Sequence, residues 1–265
     1  MKDQILSCLS PAYPWKEYFT FLPTIDSTND RLRTLARAGA PGGTVLVADH
    51  QTGGHGRRGR SFHSPEGVGI YMSILLRPRC APTELLHLTC AAAVAMCDAV
   101  ENSAGFRPGI KWTNDLVFGN RKLGGILTEL GFTPKGDVDY AIIGIGINCC
   151  QTEADFPEEI RDMAGSLAMI ADRKIDRSKV AAAMMEALHT MSENLLSGKD
   201  EILRQYRRDC VTVNQEVVLV RGEEKRYGHA VDIDEEGALV VRFRDGSTEA
   251  VNSGEVSVRG MYGYV

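Results

Sequence analysis

Gln51 to Pro65 reads QTGGHGRRGRSFHSP, and the fold is decided by what such a stretch can be. Five ionisable side chains, His55, Arg57, Arg58, Arg60 and His63, sit among Gly53, Gly54, Gly56 and Gly59, directly after a β-forming run from Thr44 to Ala48. Arginines this dense repel one another and are costly to bury unpaired, so the segment is not core. Glycines this dense leave the backbone without a preferred shape. A mobile surface loop awaiting an anion is expected, at the end of a strand where backbone N–H groups and guanidinium forks can take up phosphate or carboxylate. The alternative is a solvated turn that binds nothing.

Gly54, Gly56 and Gly59 also satisfy the spacing G-x-G-x-x-G, but a dinucleotide fingerprint must open a helix. Here Arg60 runs into Pro65, Gly67 and Gly69, which break helices. No H-R-D or D-F-G follows, which excludes a kinase glycine loop, and no Walker loop occurs anywhere. A nucleotide, if bound, must be held by a different device.

Working outward, Thr24 to Ala38 reads as a turn into a helix capped by Asp26 or Ser27, with Leu32, Leu35 and Ala36 facing the core. Ser27, Thr28 and Asn29 crowd three hydrogen-bonding side chains into that turn, where capping alone could account for them. Thr44 to Ala48 and Gly69 to Leu76 read as neighbouring strands. Pro82 to Glu101 reads as one Ala-rich helix with a core face at Leu85, Leu88, Ala92, Met96 and Ala99, and its His87 as a surface or partly packed residue.

Gly109 to Leu130, GIKWTNDLVFGNRKLGGILTEL, alternates on both sides of Gly119-Asn120 as a hairpin does. Lys111, Asp115, Lys122 and Gly124-Gly125 stand out there, since paired glycines in a strand remove side chains where something must approach. Ala141 to Asn148, AIIGIGIN, is too apolar for an edge strand, and its Gly144 and Gly146 fit close helix packing or ligand approach equally well. Asp155 to Ser197 is expected to be helical in two or more pieces, with Met163, Leu167, Ile170, Val180, Met184, Leu188, Met191 and Leu195 as core stripes and His189 among them. From Val211 the texture becomes short alternating strands, VTVNQEVVLV, YGHAVDID, ALVVRF and EVSVRG. A boundary near Cys210 therefore separates residues 1–210 from a small β-barrel at 211–265.

Composition limits the function classes. The 265 residues, 43% hydrophobic and 25% charged, suit a globular protein with a substantial core. No apolar run is read as long enough to cross a bilayer, and MKDQILSCLSPAYPW lacks the order of a signal peptide, so the chain is expected to be cytoplasmic. Seven cysteines with no C-x-x-C spacing imply reduced, mostly buried thiols. With a net charge of −5 the basic loop is a local exception. A small anionic ligand is favoured over a long nucleic acid, and a nucleic-acid module built from the loop and barrel lacks clustered aromatics.

Three stretches together resemble the biotin protein ligases. The family's glycine-arginine loop is similar to QTGGHGRRGRSFHSP, its lysine-tryptophan-proline-asparagine-aspartate motif to Lys111-Trp112-Thr113-Asn114-Asp115, and its lysine-bearing strand to RKLGGIL. The departures are His55, where the family commonly has arginine, and Thr113, where it has proline. The resemblance implies an α+β fold: a mixed β-sheet catalytic domain flanked by helices, similar to class II synthetases, and a C-terminal SH3-like β-barrel. It implies activation of biotin with MgATP to biotinyl-5′-AMP and transfer to a lysine of a biotin carboxyl carrier domain.

Lys122, Arg57 and Asp115 are the implied catalytic residues, with Asp115 also a candidate Mg²⁺ ligand. Ser27, Thr28, Asn29, Gln51, Gly54, His55, Gly56, Arg57, Lys122, Gly125, Gly144 and Gly146 are implied to bind biotin. Arg57, Arg58, Arg60, Phe62, Lys111, Asn114 and Asn148 are implied to bind nucleotide, with Phe62 stacking on adenine. Too little chain precedes Ser27 for the helix-turn-helix of regulatory members, so a monofunctional ligase without DNA or membrane partners is expected, with homodimerisation left open. A lipoate or octanoate ligase of the same fold would lack the arginine-rich loop and the lysine-tryptophan motif.

Overall fold

The computed structural model describes residues 1–221, 223–252 and 257–260. Its larger sheet contains β1 (Phe19–Ile25), β2 (Val45–Gln51), β3 (Gly69–Leu76), β4 (Gly109–Lys111), β5 (Asp115–Phe118), β6 (Arg121–Phe132) and β7 (Val138–Asn148), in the order β1-β2-β3-β7-β6-β5-β4. Only β1 and β2 run parallel; the other pairs are antiparallel. The sheet is therefore mixed, as the resemblance implies. The neighbours β2 and β3 and the β5–β6 hairpin are those read from the sequence.

Side-chain alternation shows how this sheet divides its two faces. In β7, Ala141, Ile143, Ile145 and Ile147 join the main core, while Tyr140 and Ile142 point the other way. In β3, Ile70, Met72, Ile74 and Leu76 join the main core and Leu75 joins the opposite cluster. The main core is covered by α3 (Leu88–Ala104), which packs against α5 (Arg177–Asn194) and α6 (Lys199–Asp209), with α1 (Lys2–Cys8) on α5. The opposite face is covered by α2 (Thr28–Arg37), through Leu32 and Ala36 against Leu46, Leu75 and Ile142. Leu32 is fully buried, and truncating it to alanine should cost about 2–5 kcal/mol. Beyond the N-terminal turn of α2 that face of the sheet is open, and the glycines of β7 lie at the edge of the opening.

Several expectations are corrected. The Pro82–Glu101 stretch is not one helix: Pro82–Leu85 is a 3₁₀ turn and α3 begins at Leu88. His87, between them, is buried at 1% exposure and donates from Nε2 to the Leu195 carbonyl at 2.8 Å. By length and composition Pro82–Ala104 is also apolar enough to span a membrane, contrary to the sequence reading; here the segment is mostly buried and its α3 part is central to the core. The expected helical segment from Asp155 holds only 3₁₀ turns (Glu153–Asp155 and Glu158–Ile160) before the short α4 (Leu167–Ala171). Met163 is 41% exposed there and is no core residue. All seven cysteines are free.

The second sheet comprises β8 (Glu216–Arg221), β9 (Glu224–Ile233), β10 (Leu239–Phe243), β11 (Thr248–Val251) and β12 (Ser257–Gly260), antiparallel throughout in the order β11-β10-β9-β8-β12, consistent with an SH3-like fold. Glu255 and Val256 of the expected EVSVRG strand lie outside the described residues. This sheet is tied to the first. Trp112 donates from its indole Nε1 to the Gly237 carbonyl at 3.0 Å and from its backbone N–H to Thr212 Oγ1 at 2.9 Å. Tyr206, at the end of α6, donates to the Thr113 carbonyl at 2.8 Å.

Candidate active site

A cavity of about 600 Å³ opens on the uncovered part of the sheet face. Sheet register explains its floor. Tyr71, Gly146, Gly125 and Asp115 form one cross-strand row, and Ser73, Gly144 and Leu127 form the next. The glycines make room for the protein's own side chains. A Cβ on Gly144 would lie 2.1 Å from Asn29 Oδ1, and one on Gly146 would lie 2.4 Å from the Phe62 ring. The close-packing reading of Gly144 is thus realised, with the N-terminal turn of α2 as the packed element. Gly125 faces Lys122 Nζ and Asp115 Oδ1 at 3.4 and 3.5 Å from a built Cβ.

One end of the cavity is polar and uncharged. Ser27 caps α2 by accepting from the Asp30 N–H at 3.4 Å. Gln51 Oε1 accepts from the Thr28 N–H at 2.9 Å and the Thr28 hydroxyl at 3.0 Å, while its Nε2 donates to Ser64 Oγ at 3.2 Å. Ser27, Thr28 and Asn29 are all buried, and buried polar groups of this kind must be satisfied. These residues cap the helix and line the cavity together.

The other part is cationic. Lys122 Nζ donates to Asp115 Oδ1 at 2.6 Å. Beside it, Arg57 donates to Asn114 Oδ1 at 2.8 Å, and Asn114 is fixed by donating Nδ2 to the Ile126 carbonyl at 2.9 Å. Burial lowers the Arg57 pKa from its ordinary value, and the Arg58 charge acts in the same direction against Asp115. Lys111 is buried and also lines the wall. The Trp112–Thr113 peptide bond in this turn is cis.

The glycine-arginine loop has more internal form than its composition suggests. Gly56 N–H donates to the Arg60 carbonyl at 2.6 Å and Phe62 N–H to the Gly54 carbonyl at 2.8 Å, around a 3₁₀ turn at Arg57–Gly59. Arg58 and Gly59 have φ of 58° and 72°, the left-handed region in which glycine is at ease. His55 lines the cavity, but its Nε2 donates to Asp30 Oδ2 at 2.8 Å. Burial raises the Asp30 pKa, yet the hydrogen bonds from His55 and Arg33 outweigh it and hold the carboxyl below its usual range.

Every residue expected at the site lines this cavity except Gly54. Gly54 is buried behind the loop, where a Cβ would lie 2.6 Å from the Phe62 carbonyl oxygen; it closes the loop on itself. Phe62, expected to be available for a nucleobase, lies against Gly146 with its ring centroid 6.4 Å from Tyr71. Sequence reasoning missed an apolar lip of Phe156, Ile160, Met163 and Ala164. It is held to β6 where Lys122 N–H donates to the Met163 carbonyl at 2.6 Å and Gly165 N–H to the Lys122 carbonyl at 2.9 Å. It also missed Ser73 and Glu129, which hold Asn29. The signal for Ser73 was available: it is the one polar side chain besides Tyr71 in the strand GIYMSILL.

Among the described residues no three His, Cys, Asp or Glu side chains gather as a metal site. Among the described residues Asp115 is the only carboxylate on the cavity wall. That donor set fits Mg²⁺, which keeps waters and binds through one or two carboxylates together with substrate phosphates.

Residues 21–148 match the model of the biotin/lipoate A/B protein ligase family, and residues 212–259 that of the biotin protein ligase C-terminal domain. The chain is 36% identical over 231 residues to the bifunctional ligase/repressor BirA of Bacillus spizizenii, covering 87% of this chain and 71% of that protein. It is 30% identical over 262 residues to the biotin–(acetyl-CoA-carboxylase) ligase of Mycobacterium tuberculosis, covering 97% and 93%. Its fold is similar to that of the Aquifex aeolicus biotin protein ligase in complex with biotin and ATP, with a TM-score of 0.77, 33% identity, and coverage of 91% of this chain and 98% of that one.

Proposed function

The chain belongs to the biotin/lipoate A/B protein ligase family, and from that premise we propose that it activates biotin with ATP and transfers it to a lysine of a biotin carboxyl carrier domain, such as that of acetyl-CoA carboxylase. In the first step a biotin carboxylate oxygen attacks the α-phosphorus, the bond to the β-phosphate oxygen breaks, and pyrophosphate leaves with biotinyl-5′-AMP formed. In the second, the neutral amine of the carrier lysine attacks the biotinyl carbonyl and AMP departs with the bonding pair, while the amine's proton passes to solvent or a base.

The observation that carries this reading is the joining of two unlike surfaces in one cavity. A neutral hydrogen-bonding pocket at Ser27, Thr28, Asn29 and Gln51 suits a ureido ring, and the cations Lys122, Arg57 and Lys111 meet it on the same sheet face. Two anions, a carboxylate and a phosphate, repel one another as they approach. Fixed cations in a water-poor site offset that repulsion without reorganising. Lys122 is assigned to the reacting oxygens, since its ammonium stands over Gly125 at the junction of the two surfaces. Arg57, oriented by Asn114, holds the phosphates, with Arg58 and Arg60 brought over them by the loop. The apolar lip of Phe156, Ile160 and Met163 is the more open surface for the nucleobase.

Asp115 holds the Lys122 ammonium and would be the protein ligand of a Mg²⁺ carried in on ATP, which when bound would neutralise phosphate charge. A cytoplasmic location fits the seven free thiols. The test is biotin-dependent exchange of pyrophosphate into ATP, with lipoate in a parallel reaction. Exchange with biotin and a carrier domain labelled on lysine are the expected results; exchange with lipoate alone refutes the reading.

A further inference from the structure

Asn29 is 4% exposed at the first turn of α2, and its amide is held at both ends. Its Nδ2 donates to Glu129 Oε2 at 2.8 Å, and its Oδ1 accepts from the Ser73 hydroxyl at 2.6 Å. A carboxylate can only accept, so the Glu129 contact fixes which end of the amide carries the hydrogens. Glu129 is itself restrained, because Arg33 Nη2 donates to its other oxygen at 2.6 Å. Ser73 is fully buried on β3, and its one hydroxyl hydrogen is shared between Asn29 Oδ1 and Thr28 Oγ1, the latter at 2.7 Å, while the Thr28 hydrogen is directed at Gln51.

Counting hydrogens shows what this network leaves for a ligand. The Asn29 NH₂ has two hydrogens, of which Glu129 uses one; the Gln51 NH₂ has two, of which Ser64 uses one. The carbonyl ends of both amides are turned to Ser73 and Thr28. Both residues line the cavity, so its neutral end offers amide hydrogens with their acceptor ends already engaged.

We propose that Glu129 and Ser73 are positioning residues that lock the Asn29 amide with a donor toward the cavity, and that they thereby select a substrate bearing a carbonyl-type acceptor at that depth. The proposal rests on the ligase reading above: the ureido oxygen of biotin supplies the acceptor, whereas lipoate and octanoate end in disulfide or hydrocarbon. A site built to donate rejects an analogue without the acceptor, because its buried donors are then left unpaired. Without Glu129 or Ser73 the amide is free to turn, and the difference between the two substrate classes shrinks.

The experiment measures kcat and KM for biotin and ATP in pyrophosphate exchange by the full chain, for the parent, Glu129→Gln and Ser73→Ala, with lipoate as competing substrate. Loss of one oriented hydrogen bond should raise the biotin KM by about tenfold in each variant. The ATP KM should stay within about twofold, and the biotin-to-lipoate ratio of kcat/KM should fall. Thermal melting of both variants identifies any that is unfolded, and the other then decides. Biotin KM values within about twofold of the parent in both variants would overturn the positioning role while leaving the ligase reading intact. A fall in kcat with both KM values unchanged would mark the two residues as structural only and overturn it too. A parent that uses lipoate and not biotin would overturn the ligase reading and the selection argument together.

Discussion

Replacing Lys122 by methionine keeps most of the side chain's length and apolar stem while deleting its charge, and the structure separates the consequence for folding from that for catalysis. Lys122 and Asp115 are paired at 2.6 Å, but their side chains are 30% and 19% exposed, so solvent screens the pair. Its loss should cost about 1 kcal/mol or less, which lowers the melting temperature by about 2–4 °C in a domain of this size. The strand is unaffected, because β6 is held by backbone bonds to β7 and by the Lys122 N–H to Met163. Catalysis should suffer far more. Removing one preorganised group that stabilises developing charge costs about 2.7–4 kcal/mol, or 10²–10³ in kcat. Biotin-dependent pyrophosphate exchange, run alongside thermal melting, reads both quantities. A Lys122→Met protein that melts like the parent and exchanges within about tenfold of it would refute the assignment.

Gly144→Ala should raise the biotin KM more than it lowers stability, because the new methyl would lie 2.1 Å from Asn29 Oδ1 and displace the amide from its partners; binding calorimetry with biotin checks this. Trypsin should cut after the exposed Arg58 and Arg60 more slowly with saturating biotin and ATP than without, since the glycine-rich loop gains from one conformation only when its guanidinium groups meet an anion; equal rates would contradict the closure. His87 should make the fold acid-sensitive. Burial lowers its pKa, outweighing the bond to Leu195, and its Nδ1 has no hydrogen-bond partner among the described residues, so the unfolded chain binds the proton more readily. Stability present above the unfolded pKa of about 6.5 is then lost as pH falls through the lower folded value. Melting between pH 7.5 and pH 5 should therefore drop more steeply for the parent than for His87→Gln, and parallel curves would show that His87 is not responsible.

What the sequence made legible was local conflict. Arginines among glycines at Gln51 to Pro65, and lysines with a glycine pair in a β-forming run at Lys111 to Gly125, contradict their own surroundings unless a ligand resolves them. All but Gly54 of the residues assigned to the site line one cavity. What was hidden depends on partners far apart in the chain. Ser73 and Glu129 reach Asn29 across 44 and 100 residues, and a single serine or glutamate in a strand gives no periodic signal of such a contact. Gly144 and Gly146 could not be resolved from their strand alone, because the side chains that need the space, those of Asn29 and Phe62, come from elsewhere. Met163 misled in the opposite way. Its apolar character reads as core, yet it is partly exposed on the cavity lip.

The hydrogen bonds from Trp112 to Thr212 and Gly237 bear on how the two sheets melt. Among the described residues none beyond Ala164 lines the cavity, so the described strands of the second sheet gain nothing directly from a bound substrate. It nevertheless shares bonds with the turn at residues 111–114, and that turn cannot hold its cavity geometry once its anchors at Thr212 and Gly237 have unfolded. A ligand that needs the turn intact therefore draws the distant sheet into its own equilibrium by mass action, adding about 2.7 kcal/mol at a hundred times its dissociation constant. Local opening of β9 and β10 then costs more whenever the cavity is filled, and their backbone amides, remote from the chemistry, exchange with solvent at a rate that reports whether substrate is bound.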